Sequence, residues 1–206
     1  MPRVAALALV LAAGCAGGPA PGPAGIPAPA PPAARVRVED APAELRPALA
    51  RAEAAVKTLR DRIAARLSAE LASRGIVKAL AVCRREAPAL AAEISAQTGV
   101  EVGRTGTRPR AGVGPPRPWI APVVEAIAAR RADEVPAVVL DLGDRVGLLR
   151  PVAVVPLCLS CHGPAERVLP EVKLAADGAP ATDRAAAYSE GDLRGFFWAE
   201  VRKEKR

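Results

Sequence analysis

Between Leu45 and Leu71 apolar residues return at every third or fourth position: Leu45, Leu49, Ala52, Val56, Leu59, Ile63, Leu67 and Leu71, with charged residues filling the gaps. That period belongs to one face of an α-helix, so it predicts a long amphipathic helix stopped at Gly75. A second stripe follows at once, through Ile76, Leu80, Cys83, Ala87, Leu90 and Ile94, and predicts another helix, kinked or split at Pro88 and closed by Gly99. Residues 103–118 are rich in Gly, Pro and Arg and read as a loop. Residues 119–131 read as a third helix. The pattern then changes: residues 135–141 and 146–155 are rich in β-branched side chains and flank Gly143-Asp144, which predicts an antiparallel hairpin. A short helix near residues 167–176, a turn region and a last strand at 196–202 complete the chain. The predicted class is α+β, with N-terminal helices packed on a small antiparallel sheet.

The first forty residues do not share these patterns. Residues 1–14 carry Met-Pro-Arg, an apolar run from Val4 to Leu11 too short to span a bilayer, and small residues before Cys15, the layout of a signal peptide. Leu11-Ala12-Ala13-Gly14-Cys15 resembles a bacterial lipobox, with Ala12 where Leu is usual, and makes Cys15 the candidate lipidation site. Ordinary signal cleavage nearby and an uncleaved anchor helix are the alternatives. Residues 15–40 are dominated by Ala, Pro and Gly, too poor in large apolar groups for a core, and read as an extended tether. The folded domain is then residues 41–206. Its expected location is the periplasmic side of a bacterial membrane, held by the lipid anchor, or free in the periplasm if the lipobox is not used.

The formal charge of +7 does not point to nucleic acid. The basic residues are spread evenly, the aromatics are two Trp, one Tyr and two Phe, and no recognition motif occurs.

Chemistry concentrates in one place. Cys158-Leu159-Ser160-Cys161-His162 is the attachment signature of c-type haem: two cysteines on one turn form thioethers with the porphyrin vinyl groups, and the adjacent histidine falls under the iron. Two other readings use the same residues. Cys158 and Cys161 could form a redox disulfide, although a thioredoxin-like context is missing. Cys83, Cys158, Cys161 and His162 could hold zinc, although neighbouring ligands at 161 and 162 suit a tetrahedron poorly. A four-helix haem bundle is a further architecture, disfavoured by the hairpin and by the 44 residues that follow His162.

The iron's opposite face is constrained by inventory. Met1, the only methionine, leaves with the signal peptide, and His162 is the only histidine. The remaining options are Cys83, one of five lysines, Tyr188, water or an open position. Cys83 stands in the apolar stripe of a predicted helix, as a ligand or as a small buried hydrophobe.

From about Val38 onward the chain resembles a family of single-haem c-type proteins with a PAS-like fold. Family members occur alone in the periplasm or lumen, or as extracytoplasmic sensor domains of histidine kinases. Four segments carry the resemblance: "AVCRREAP" from Ala81, "GRTGTRPR…PPRPW" from Gly103 to Trp119, "CLSCHGP" from Cys158, and "DRAAAYSEGDLRGFFWAEV" from Asp183. It implies one covalent haem c and places the family's second axial ligand, a cysteine, on Cys83. Two departures stand out. The family's Arg-Asn-Pro and following Asn are replaced here by Arg110-Ala111-Gly112 and Val113-Gly114, and the Gly before the closing Tyr is Ala187.

The site expected from sequence is therefore Cys158 and Cys161 for attachment and His162 with Cys83 as axial ligands. Arg104, Arg108, Arg110 and Arg194 are candidate propionate partners, and Trp119, Tyr188 and Phe196 are candidates to pack on the porphyrin. The expected function is redox or small-ligand sensing rather than catalysis. A periplasmic electron carrier is the alternative, and a peroxidase-like enzyme the weaker third. Expected partners are the membrane, through the anchor, and a redox or signalling protein; a homodimer is left open.

Overall fold

The computed structural model describes residues 35–108, 115–175 and 187–204. Cys15, Arg110, the lipobox-like segment and the tether up to residue 34 lie outside the described residues.

Strong helix formers carry the long helix α1, Arg46–Arg74, which opens with a proline in its first turn and ends where Gly75 takes φ 77° and ψ 178°. Its inner face buries Ala48, Leu49, Ala52, Val56, Leu59 and Ile63. Leu59 and Ile63 each gain about 1.5–3 kcal/mol by leaving water. Beyond Ile63 the stripe is less covered: Leu67 and Leu71 are only half-buried, and the buried Glu70 is held between Arg66 and Arg74.

The second helical stretch is three pieces. Helix α2, Ile76–Ala81, passes into a π-helical turn, Val82–Glu86, and then into α3, Ala87–Thr98, closed by a left-handed Gly99. The break expected at Pro88 thus falls just before it. A proline at 88 has no N–H for the carbonyl of Arg84, four residues back, and its ring crowds that carbonyl; a wider turn relieves both problems.

Five strands form one antiparallel sheet in the order β1-β3-β4-β5-β2. They are β1 Arg35–Arg37, β2 Glu101–Gly106, β3 Val138–Asp141, β4 Arg145–Ala153 and β5 Leu193–Arg202. Alternation along β5 serves both faces. Phe197, Ala199 and Val201 pack toward α1, while Phe196 and Trp198 pack with Ile120, Val123 and Val124 around the short helix α4, Ala121–Ile127. Gly195 (φ 151°) lets β2 come close, since a Cβ there would lie 2.0 Å from the Thr105 carbonyl oxygen. Two further helices follow β4: α5, Pro156–His162, and α6, Pro170–Ala175.

The fold is α+β with helices on a small antiparallel sheet, as the periodicity predicts, and the 135–155 hairpin is β3–β4. Three boundaries differ from the sequence reading. The Arg-rich segment is not loop throughout, because residues 101–106 pair along their length with β5. Its glycines serve close packing: a Cβ on Gly103 would lie 2.5 Å from the Trp198 ring. The domain begins earlier than residue 41, since Arg35–Arg37 pair with Val138–Leu140 as an edge strand. The third helix is shorter than residues 119–131, covering only Ala121–Ile127. No helix among the described residues is long and apolar enough to cross a membrane.

Candidate functional site

Helix α5 carries the Cys-x-x-Cys-His motif. Pro156 sits in its first turn and Gly163 ends it in extended backbone, with the Gly163 N–H donating to Leu159 O at 2.9 Å. A Cβ on Gly163 would stand 2.6 Å from that same carbonyl oxygen, so the residue after His162 must be small. Cys158, Cys161 and His162 thus share one helical turn, all half-buried, with both cysteines as thiols.

The segment before β5 locks this turn in place. The N–H groups of Ala187 and Tyr188 donate to the carbonyls of Gly163 and His162 at 3.0 and 2.9 Å. Ala187 adopts φ 61° in this pairing, the left-handed region where its side chain is unfavourable. Tyr188 is fully buried, in a cluster with Val154 and Leu159 against which Cys158 packs. Its ring meets His162 edge-on, centroids 6.5 Å apart. Its hydroxyl lies 3.1 Å from Thr107 Oγ1, whose own hydroxyl donates to Leu193 O at 2.8 Å.

Two of the expected propionate arginines converge on this tyrosine. The Arg108 guanidinium lies 4.3 Å and that of Arg194 5.0 Å from the Tyr188 ring centroid. Arg108 donates to Ala187 O at 2.8 Å and faces Asp192 at 3.9 Å. Arg194 reaches the His162 Nε2 at 3.4 Å, a long contact. A guanidinium can only donate, so Nε2 is the lone-pair nitrogen in this contact, which is also the nitrogen that binds a metal in that tautomer. Arg104 lies elsewhere on β2 and donates to the Cys83 carbonyl at 3.0 Å.

Cys83 stands in the π-turn. The turn shifts the stripe by one position, so Val82 is the fully buried residue and Cys83 is half-buried at the margin. Two links bring this segment to the flank that carries α5. Helix α2, which leads into the turn, packs against α6, and α6 is tied to α5 through the Leu169 N–H on Ser160 O at 3.2 Å. On the other side, Arg104 joins the Cys83 carbonyl to the strand that ends near Thr107 and Tyr188. Among the described residues no three of His, Cys, Asp and Glu gather as a metal ion would need, so Cys83 does not complete a zinc-like set with the motif. The five-stranded sheet likewise sets aside a pure helical bundle.

Trp119 and Phe196 belong to the cluster around α4, whereas Tyr188 belongs with the motif. Trp119 donates its indole N–H to Glu200 at 2.8 Å, within a network on the same sheet face. There Arg145 bridges Glu101 and Glu200 at 2.9 Å each, and Arg117 bonds the same two carboxylates while stacking 4.5 Å over Trp198. Burial pushes the Glu101 carboxyl up, but the hydrogen bonds from Arg145 and Arg117 outweigh it and hold it below the ordinary carboxylate value. The sequence reading missed this network, and it missed Thr107 and Asp192, because no spacing along the chain brings residue 101 to 145 and 200, or 107 to 188.

What fold and site define together is an α+β domain presenting a thiol-x-x-thiol-imidazole turn beside two guanidinium groups. No family model matches the chain, and no curated protein matches it. Among solved structures, the chain is similar to the cyanobacterial haem-protein Tll0287 at 23% identity and a TM-score of 0.48, over 61% of this chain and 74% of that one.

Proposed function

We propose that this chain is an exported c-type haem protein with a single haem, joined to Cys158 and Cys161 and ligated by His162 and Cys83. The observation that carries the reading is the α5 turn, which presents two thiols and an imidazole in one half-buried row. Each thiol adds across a vinyl double bond: the S–H bond breaks, an S–C bond forms and the hydrogen goes to the neighbouring carbon, so no oxidant is consumed. The donor set fits the group. The lone pair on His162 Nε2 would bind the iron, and Arg194 and Arg108 would pair with the propionates. Tyr188 and Thr107 hold the turn while this happens. When bound, the haem supplies a one-electron couple.

Cys83 as the second ligand is supported by the inventory of the chain and by the flank its π-turn shares with α6. As an anionic sulfur donor Cys83 would favour ferric iron and give the couple a low potential. Cys83 lies in an irregular turn between two helices, so a change in what it binds would be passed to α2, which favours redox or ligand sensing over simple electron carriage. The lipobox-like sequence at Cys15 supports a lipid anchor on the periplasmic side. The test is ferric and ferrous absorption and EPR of the wild type beside Cys83→Ala. Low-spin ferric signals typical of thiolate ligation, lost in Cys83→Ala, are expected. Identical spectra for the two proteins would remove Cys83 from the iron.

A further inference from the structure

Cations without a carboxylate partner are not spread evenly over the described residues. Lys78 on α2, Arg84 and Arg85 in the π-turn that follows it, Arg167 before α6 and Lys173 on α6 are exposed and make no ion pair; α2 packs against α6, and Leu169, just before α6, is hydrogen-bonded to Ser160 of the motif helix. Elsewhere among the described residues Arg35, Arg46 and Arg130 lack a carboxylate, and Arg104 and Arg194 donate instead to the Cys83 carbonyl and toward His162, while Arg62, Arg66, Arg117, Arg145, Arg150 and others are paired. Glu166 and Glu171 are the unpaired acids on the same elements, so the flank stays net positive.

Exposed large apolar side chains gather there too. Val77, Val155, Leu157 and Leu169, at 37–51% exposure, are the exposed large hydrophobic residues of the described chain. They belong to α2, α5 and the residues bordering α5 and α6, elements joined by the α2–α6 packing and the Leu169–Ser160 hydrogen bond. An apolar centre bordered by unpaired cations is the composition of an association surface, in which the charges steer the encounter and the apolar part seats it.

We propose that this flank is the docking face for an acidic electron-transfer protein, which meets the chain beside the Cys158–His162 turn. The proposal rests on the haem reading for its purpose, but its charge complementarity does not depend on it. Reduced flavodoxin, an acidic one-electron donor, serves as the probe in two measurements. One is the rate of ferric haem reduction; the other is anisotropy of dye-labelled flavodoxin, which needs no haem. Lys78→Glu/Lys173→Glu is compared with Arg35→Glu/Arg130→Glu, which makes the same charge change on other elements, after circular dichroism shows both fold. At low ionic strength the flank pair is expected to slow reduction and weaken binding by about tenfold, and the control pair by less than about twofold. Both differences should fade as salt shortens the screening length. Equal effects from the two pairs, or none, overturn the proposal. So does loss of binding by the flank pair only to vesicles holding about one-third phosphatidylglycerol, which would make the face a membrane contact. A chain without haem would silence the rate measurement in every variant and contradict the haem reading, while anisotropy would still decide the docking face.

Discussion

Around the sheet, charges close on one another: Arg117 and Arg145 share Glu101 and Glu200, Arg150 grips Glu53 through two nitrogens, and Lys203 holds Asp141. Its apolar residues are sealed, with Leu148, Leu149, Val139 and Val146 at 0% exposure. Around α5 the opposite holds. The helices are six or seven residues long, one turn is π-helical, Ala187 sits in a left-handed conformation, and apolar and cationic side chains face outward. One region is closed on itself, and the other leaves apolar and cationic groups exposed, which is what the proposed haem site would use. A strained residue, a π-turn and half-buried thiols mark the second kind of region.

Four comparisons would break or sharpen that contrast. The largest effect belongs to the sealed side: Leu148→Ala should cost about 2–5 kcal/mol in urea unfolding, whereas Leu157→Ala, half-exposed beside Cys158, should stay within about 0.5 kcal/mol. Comparable losses at both positions would mean the flank is packed as tightly as the core. Next, Glu200→Gln removes the charge that two arginines and an indole share and should destabilise by about 1–3 kcal/mol. A smaller effect comes from the strained position. Ala187→Gly, which relieves φ 61°, should stabilise by about 0.5–1 kcal/mol, net of the freedom glycine adds to the unfolded chain. Destabilisation there would show that the Ala187 methyl packs favourably.

The smallest is a pH effect. Glu101 has a lowered pKa because its two arginine hydrogen bonds outweigh burial, and Asp141 is lowered chiefly by its hydrogen bond from Lys203. A lowered folded pKa gives stability that is fully present above the unfolded value, about pH 4, and is lost as pH falls through the folded value. The urea midpoint should therefore hold from neutral pH down to about pH 5 and fall below pH 4, with a shallower fall in Glu101→Gln. A midpoint that rises on acidification would reverse the sign of this account.

Periodicity made α1 legible, because its one buried face is written at period 3.6, and the β3–β4 hairpin and the last strand were legible from their runs of β-branched and aromatic residues. What neither signal could show was pairing across the chain. Residues 101–106 look like loop because glycines there make room for Trp198 and for Gly195, a reason that exists only once β5 lies alongside. The Cys158-x-x-Cys161-His162 motif was legible because its residues are adjacent. Cys83 was legible as a candidate by elimination, but not its place in a π-turn, since Pro88 marks a break without fixing its shape. Tyr188 stood out as the chain's single tyrosine. Thr107, Asp192 and the strain at Ala187 emerged only from three-dimensional contact.

The most direct test of the central claim is the mass and pyridine haemochrome spectrum of the chain produced in a periplasm with haem-attachment machinery. The account predicts one haem per chain that survives acid-acetone extraction, and none surviving in Cys158→Ala/Cys161→Ala. A wild-type chain with two unmodified thiols, or joined by a Cys158–Cys161 disulfide, would contradict it.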